Sequence, residues 1–154
     1  MGMLILGDKY KPREELLSQI ALTAFIMGAS LHLDENKTNI LPKDSKLELT
    51  IMKHYNNEEQ FFILILERED SVLSTYNLLN FKIGKLYRYG VTDQANYPRL
   101  IYNFALTYLR LNPNQIISTY GDQFYTHGDM ERLAKEGGYF ENWCYSKLPW
   151  QEPR

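Results

Sequence analysis

A chain of 154 residues with 44% apolar and 23% charged side chains is long enough to bury a core without disulfide or metal staples, and points to one folded domain. A formal net charge of −2 excludes a global field that would draw the chain to nucleic acid or an anionic membrane. The single cysteine, Cys144, excludes an intramolecular disulfide and fits a reducing compartment.

Charge is unevenly placed along the chain. Residues 34–70 carry nine carboxylates against five cations, a net of −4, whereas residues 71–115 carry five cations against Asp93 alone, a net of +4. The 12 tyrosines are a second bias, since a tyrosine can be buried with a wet polar tip and serves partner surfaces well.

The opening apolar run, residues 3–6, is too short for a signal peptide and lacks a basic flank, and Leu6 stands where myristoylation wants Ser or Thr. No run reaches membrane-spanning length, so the expected location is cytoplasmic. Residues 3–6 suit a short strand. Pro12 then opens a helix over residues 12–28, with Glu14 and Glu15 in the first turn and Gly28 at its end. Leu16, Leu17, Ile20, Ala21, Ala24 and Phe25 make one face, but Leu22 and Ile26 fall outside it. That helix is either sandwiched or turns its far side to a partner, a second copy included.

Residues 31–41 read as an extended segment closed by Pro42, and residues 46–54 as a half-buried strand, with Leu47, Leu49 and Ile51 alternating with Glu48 and Thr50. A polar loop over residues 55–59 leads into residues 60–68, whose six unbroken apolar positions predict a central strand buried on both faces. Residues 71–80 and 81–91 follow as further strands, the second punctuated by Gly84 and Gly90. Thr92 or Asp93 is expected to cap a second main helix over residues 96–111, with Leu100, Ile101, Phe104, Ala105, Tyr108 and Leu109 on its buried side. A short strand at residues 116–120 and a turn at Gly121-Asp122 precede a short C-terminal helix opened by a Thr126…Asp129 capping box. Residues 139–148 form an aromatic, strand-like segment and residues 149–154 a tail. The expected fold is a single α+β domain over residues 1–154: a mainly antiparallel sheet with two main helices and a short third one.

Chemistry-bearing motifs are sparse. His32, His54 and His127 have neither HExxH nor CxxC spacing around them, and His127 with Asp129 is accounted for by the helix cap. Cys144 sits between Trp143 and Tyr145, a setting for a buried inert thiol rather than a thiolate. Glu67 and Glu69 project to one face about 7 Å apart, a separation acid–base pairs use, yet also a normal solvated strand end. Phosphate-loop motifs are absent from the sequence, and no catalytic, cofactor-binding or metal-binding residue is assigned.

Three function classes remain open. A non-catalytic protein-binding module, for instance a small immunity or inhibitor protein, needs only a rigid complementary face, acidic when its target is basic. Its contact residues are expected at Glu58 and Glu59 in the loop before the central strand, with Leu22 and Ile26 on the first helix as the other candidate surface. An enzyme would assemble its site from Glu67, Glu69, His54 and His127. A nucleic-acid-associated protein would use the basic–aromatic segment 81–89, through Lys82, Lys85, Arg88 and Tyr87, though the net acidity argues against it.

Overall fold

A computed structural model describes residues 2–35, 47–66, 78–81, 84–92, 96–119 and 123–144. In chain order these form β1 (Met3–Gly7), α1 (Arg13–Met27), β2 (Ser30–Glu35), β3 (Leu47–Tyr55), β4 (Glu58–Leu66), β5 (Leu78–Phe81), β6 (Gly84–Val91), α2 (Pro98–Leu111), β7 (Ile116–Thr119), β8 (Gln123–Tyr125) and α3 (His127–Lys135). The strands make one antiparallel sheet in the order β2-β3-β4-β6-β1-β7-β8, with β5 also paired to β6. The fold is α+β, as expected. Among the described residues no helix is long and apolar enough to cross a membrane.

The helices lie against one face of the sheet. Leu49, Ile51, Phe62, Leu64 and Leu66 share a buried core with Leu16 and Ile20 of α1 and with Leu100, Phe104 and Tyr108 of α2. Phe62 meets Phe104 edge-on at 5.1 Å between ring centroids. On α2 the expected apolar side is buried throughout, joined by Tyr102. That helix begins at Pro98 rather than near residue 96, with Tyr97 at the cap position and the proline in the first turn, and Thr92, expected as a cap, is otherwise engaged. Buried at the end of β6, Thr92 accepts from the Met3 amide through Oγ1 at 2.7 Å and donates its own amide to the Met3 carbonyl. Asp93 lies outside the described residues.

In α1, Pro12 stands one position earlier than expected, as the cap: its carbonyl accepts from the amides of Glu15 and Leu16. Gly28 ends the helix at φ 71°, where L residues are strained, and the Ala29 amide returns to the Ala24 carbonyl. The buried stripe is Leu16, Ile20, Thr23, Ala24 and Met27. Phe25, expected on it, is instead 81% exposed. Thr23 takes the buried place because its hydroxyl is satisfied by the Gln19 carbonyl at 2.7 Å.

The loop expected over residues 55–59 is a two-residue turn. Asn56 and Asn57 take φ of 51° and 67°, the geometry that matches strand twist in a tight hairpin and that Asn tolerates best among non-glycine residues. Glu58 and Glu59 are therefore strand residues, paired with Tyr55 and His54.

The central strand corrects the sequence reading. Along β4 only Gln60, Phe62, Leu64 and Leu66 are buried, whereas Phe61 and Ile63 on the other side stand 42% and 39% exposed. Residues 67–77, which include the rest of the expected strand and most of the next one, lie outside the described residues, as do Gly121-Asp122, residues 145–148 of the aromatic segment and the tail. Further along the sheet that second face is buried: Leu6, Leu86 and Phe124 cluster there with Leu4 and Ile116 beside them.

Between β1 and β6 the register shifts by one residue, leaving Tyr89 as the extra member of a bulge. Its ring crosses Gly7, where a Cβ would overlap it, and its hydroxyl donates to the Lys9 carbonyl. α3 opens on the expected reciprocal cap: the Asp129 amide donates to Thr126 Oγ1 at 3.2 Å, and the Thr126 amide to Asp129 Oδ2 at 3.0 Å. Trp143 and Cys144 are buried in a turn, not a strand. The Trp143 indole donates to the Pro98 carbonyl at 2.8 Å, and Tyr125 donates to the Trp143 carbonyl at 2.9 Å.

Candidate functional site

The open face of β2, β3 and β4 is built by strand alternation. Residues directly opposite in antiparallel strands point the same way. Opposite Leu49 and Ile51, which face the helices, stand Glu48, Thr50, Met52 and His54 on the outer side of β3. Their partners are Ile65, Ile63, Phe61 and Glu59 on β4, and on β2 Asp34, His32 and Ser30 pair with Glu48, Thr50 and Met52. Among the described residues of these three strands, that face carries the carboxylates Asp34, Glu48 and Glu59, the apolar Met52, Phe61, Ile63 and Ile65, and no Lys or Arg.

At one side of this face Phe61 lies against Tyr97, the residue before α2, with ring centroids 5.8 Å apart. A cleft of about 300 Å³ opens there, lined by Glu48, Phe61, Phe62, Ile63, Ile65, Asn96 and Tyr97. Asp34 and Glu48 oppose each other directly across β2 and β3, an arrangement that costs stability because like charges repel at cross-strand distance. Neither is ion-paired among the described residues.

The hairpin carboxylates part company. Adjacent on one strand, Glu58 and Glu59 point to opposite faces, so only Glu59 belongs to the open face. Its Oε2 lies 3.7 Å from His54 Nε2. Glu58 is next to the turn, opposite Tyr55, whose ring is covered by the Arg99 guanidinium at 4.8 Å and whose hydroxyl accepts from Asn103 at 2.6 Å. Leu22 and Ile26, 43% and 54% exposed, lie with Phe25 on the outward side of α1, in the helix layer rather than on the open sheet face.

The groups expected for chemistry are dispersed. His127, on α3, lies 3.3 Å from Glu131, and the same carboxylate takes two contacts from Arg110, at 2.5 and 3.2 Å. The Arg110 hydrogen bonds hold the Glu131 carboxyl below its ordinary range. Glu67 and Glu69 lie outside the described residues. Burial pushes the Cys144 thiol up to about 11, away from nucleophilic use. Among the described residues no three His, Cys, Asp or Glu side chains converge as a metal site.

The segment 81–89 is split by the sheet. Leu86 and Arg88 lie on one face of β6 and Lys85 and Tyr87 on the other, so the two described bases fall on opposite faces; Lys82 lies outside the described residues. A larger cleft of about 420 Å³ lies between the β1–α1 and α2–β7 connections, lined by Asp8, Lys9, Lys11, Tyr89 and residues 111–115. Its Tyr89 hydroxyl is committed to the Lys9 carbonyl, and burial pushes that phenol up to about 12. Volume alone does not make it the better site.

Sequence reasoning missed Phe61, Ile63, Glu48 and Tyr97, although a signal existed. The alternation of β3 puts Glu48 and Thr50 on its outer side, and a strand hairpinned to β3 shares that side with them. No family model, no curated protein and no solved structure matches the chain.

Proposed function

We propose that this protein is a non-catalytic binding module of the immunity or inhibitor type, which neutralises a basic protein partner by covering it with a folded surface. The observation that carries this reading is the open face of β2–β4, where Phe61 and Ile63 stand exposed among three carboxylates and no Lys or Arg among the described residues. Apolar side chains in the centre and charge around them is the make-up of a protein interface. Strands hold these groups in fixed positions, so little order is lost on docking. The acidic character steers encounter with a basic target and rejects acidic ones.

The test is capture from the source cell with tagged wild-type protein, Phe61→Glu with Ile63→Glu, and Lys135→Glu as a control on the exposed end of α3. A basic protein retained by the wild type and the control, and lost from the double variant at unchanged circular dichroism and urea midpoint, supports the reading. Identical recovery in all three refutes it, and nucleic acid in place of protein restores the third class. The outward side of α1 supports a second contact, since Leu22, Phe25 and Ile26 form an exposed apolar stripe suited to a second copy of the chain.

A further inference from the structure

We infer that the cleft between β4 and Tyr97 is a socket for one arginine side chain of that partner, with the Glu48 carboxylate on its guanidinium and the Phe61 and Tyr97 rings beside it. The inference rests on the open face being the docking surface, and it names what that face recognises.

Size sets the first limit. At about 300 Å³ the cleft stands at the bottom of the range for ligand sites, which suits one long side chain and not a nucleotide or a larger cofactor. Composition sets the second. Its apolar and aromatic lining is Phe61, Phe62, Ile63, Ile65 and Tyr97, and its one charged lining residue among those described is Glu48. An apolar occupant would strip water from that carboxylate and return nothing, and an acidic one would add repulsion. A cation with an apolar stem satisfies both parts of the lining.

The register sharpens this. Glu48 faces Asp34 directly, so an arriving positive charge relieves an existing repulsion as well as gaining its own contacts. Arginine fits better than lysine for a geometric reason. A planar guanidinium stacks on aromatic faces while its edge presents parallel donors to a carboxylate, whereas an ammonium is a strongly hydrated point charge. Phe61 and Tyr97 lie 5.8 Å apart and are tilted at 49° to each other, so the two rings are not stacked face to face.

The probe is the capped tripeptide acetyl-Leu-Arg-Leu-amide, titrated into the full chain and followed by backbone amide NMR shifts, against the same peptide with citrulline, which keeps the shape and removes the charge. The expected result is saturable shifts at Glu48, Ile63, Ile65 and Tyr97 with the arginine peptide. Citrulline should bind about tenfold or more weaker, the loss expected for one charge-assisted contact. Glu48→Gln should bring the arginine peptide down to the citrulline level, with its amide spectrum unchanged away from the cleft as the check on folding. Equal binding of the two peptides, binding by neither, shifts confined to another surface, or full discrimination retained in Glu48→Gln would each overturn the inference. Failure here is separable from failure of the docking face. A partner lost from Phe61→Glu with Ile63→Glu but held at full strength by Glu48→Gln leaves the face standing without its arginine socket.

Discussion

Leu64 and Ile63 are neighbours on β4 that point to opposite faces, and replacing each by alanine measures what covers either side. Leu64 is fully buried, with β3 on one flank and Gly90 of β6 on the other, where even an added Cβ would come within 3.1 Å of its Cδ1. Walls made of paired strands relax little, so Leu64→Ala leaves a real cavity and should cost about 2–5 kcal/mol. For a chain of this size that is a fall in Tm on the order of 10 °C. Ile63 stands 39% exposed beside Thr50, and water fills the space its side chain leaves. Only the transfer of its covered part and some strand preference are lost, about 1 kcal/mol. Urea melts followed by circular dichroism, with unchanged slopes, give both values. An Ile63→Ala cost equal to that of Leu64→Ala would mean a second layer covers the outer face, and the docking surface would go with it.

Cys144 should label slowly with a thiol reagent in the native protein and at the ordinary rate once unfolded, because burial raises its pKa to about 11; fast native labelling near neutrality would reopen a nucleophilic role. Burial likewise raises Tyr89 to about 12 and raises Tyr108, so the folded state holds phenol protons more tightly than the unfolded chain. Stability should therefore be intact below about pH 10 and fall as pH rises toward 12, with urea midpoints and phenolate absorbance as the readouts. With a partner in hand, Glu58→Lys with Glu59→Lys should slow association more than it speeds dissociation, and Glu59→Lys alone should give most of the effect; raised salt should blunt it, and an unchanged on-rate in stopped flow would move the interface to α1.

Elements with a single dominant signal were legible in the sequence. The 3.6-residue spacing of α2, the alternation of β3 and the Thr126…Asp129 cap each tie local pattern to one geometry, and each appears as expected. Readings failed where tertiary context decided between options of equal local merit. The run in β4 is apolar on both sides, and only its pairing with β3 shows that one side shares a face with Glu48 and Thr50. Phe25 falls at i+4 from Ala21, and that spacing puts it on the buried side of α1, yet on a helix apolar around its girth spacing alone does not choose the face, and packing against α2 did. The cleft at Tyr97 joins residues far apart in the chain through the start of α2, and no local spacing announces such a meeting.

The failures and the proposed function meet on one surface. A sheet selected for stability alone would place polar side chains where Phe61 and Ile63 face water, and would set opposite charges, not Asp34 and Glu48, across a strand pair. These are separate costs of different physical origin, one hydrophobic and one electrostatic. Both fall on the outer side of β2–β4, while the same side of the sheet over β1, β6, β7 and β8 buries its Leu6, Leu86 and Phe124. The coincidence of the two costs on this face supports the proposed partner, which would cover the rings and bring the positive charge. The exposed stripe of α1 has the hydrophobic cost without the electrostatic one, which is why the sheet face, and not the helix, is assigned the basic partner.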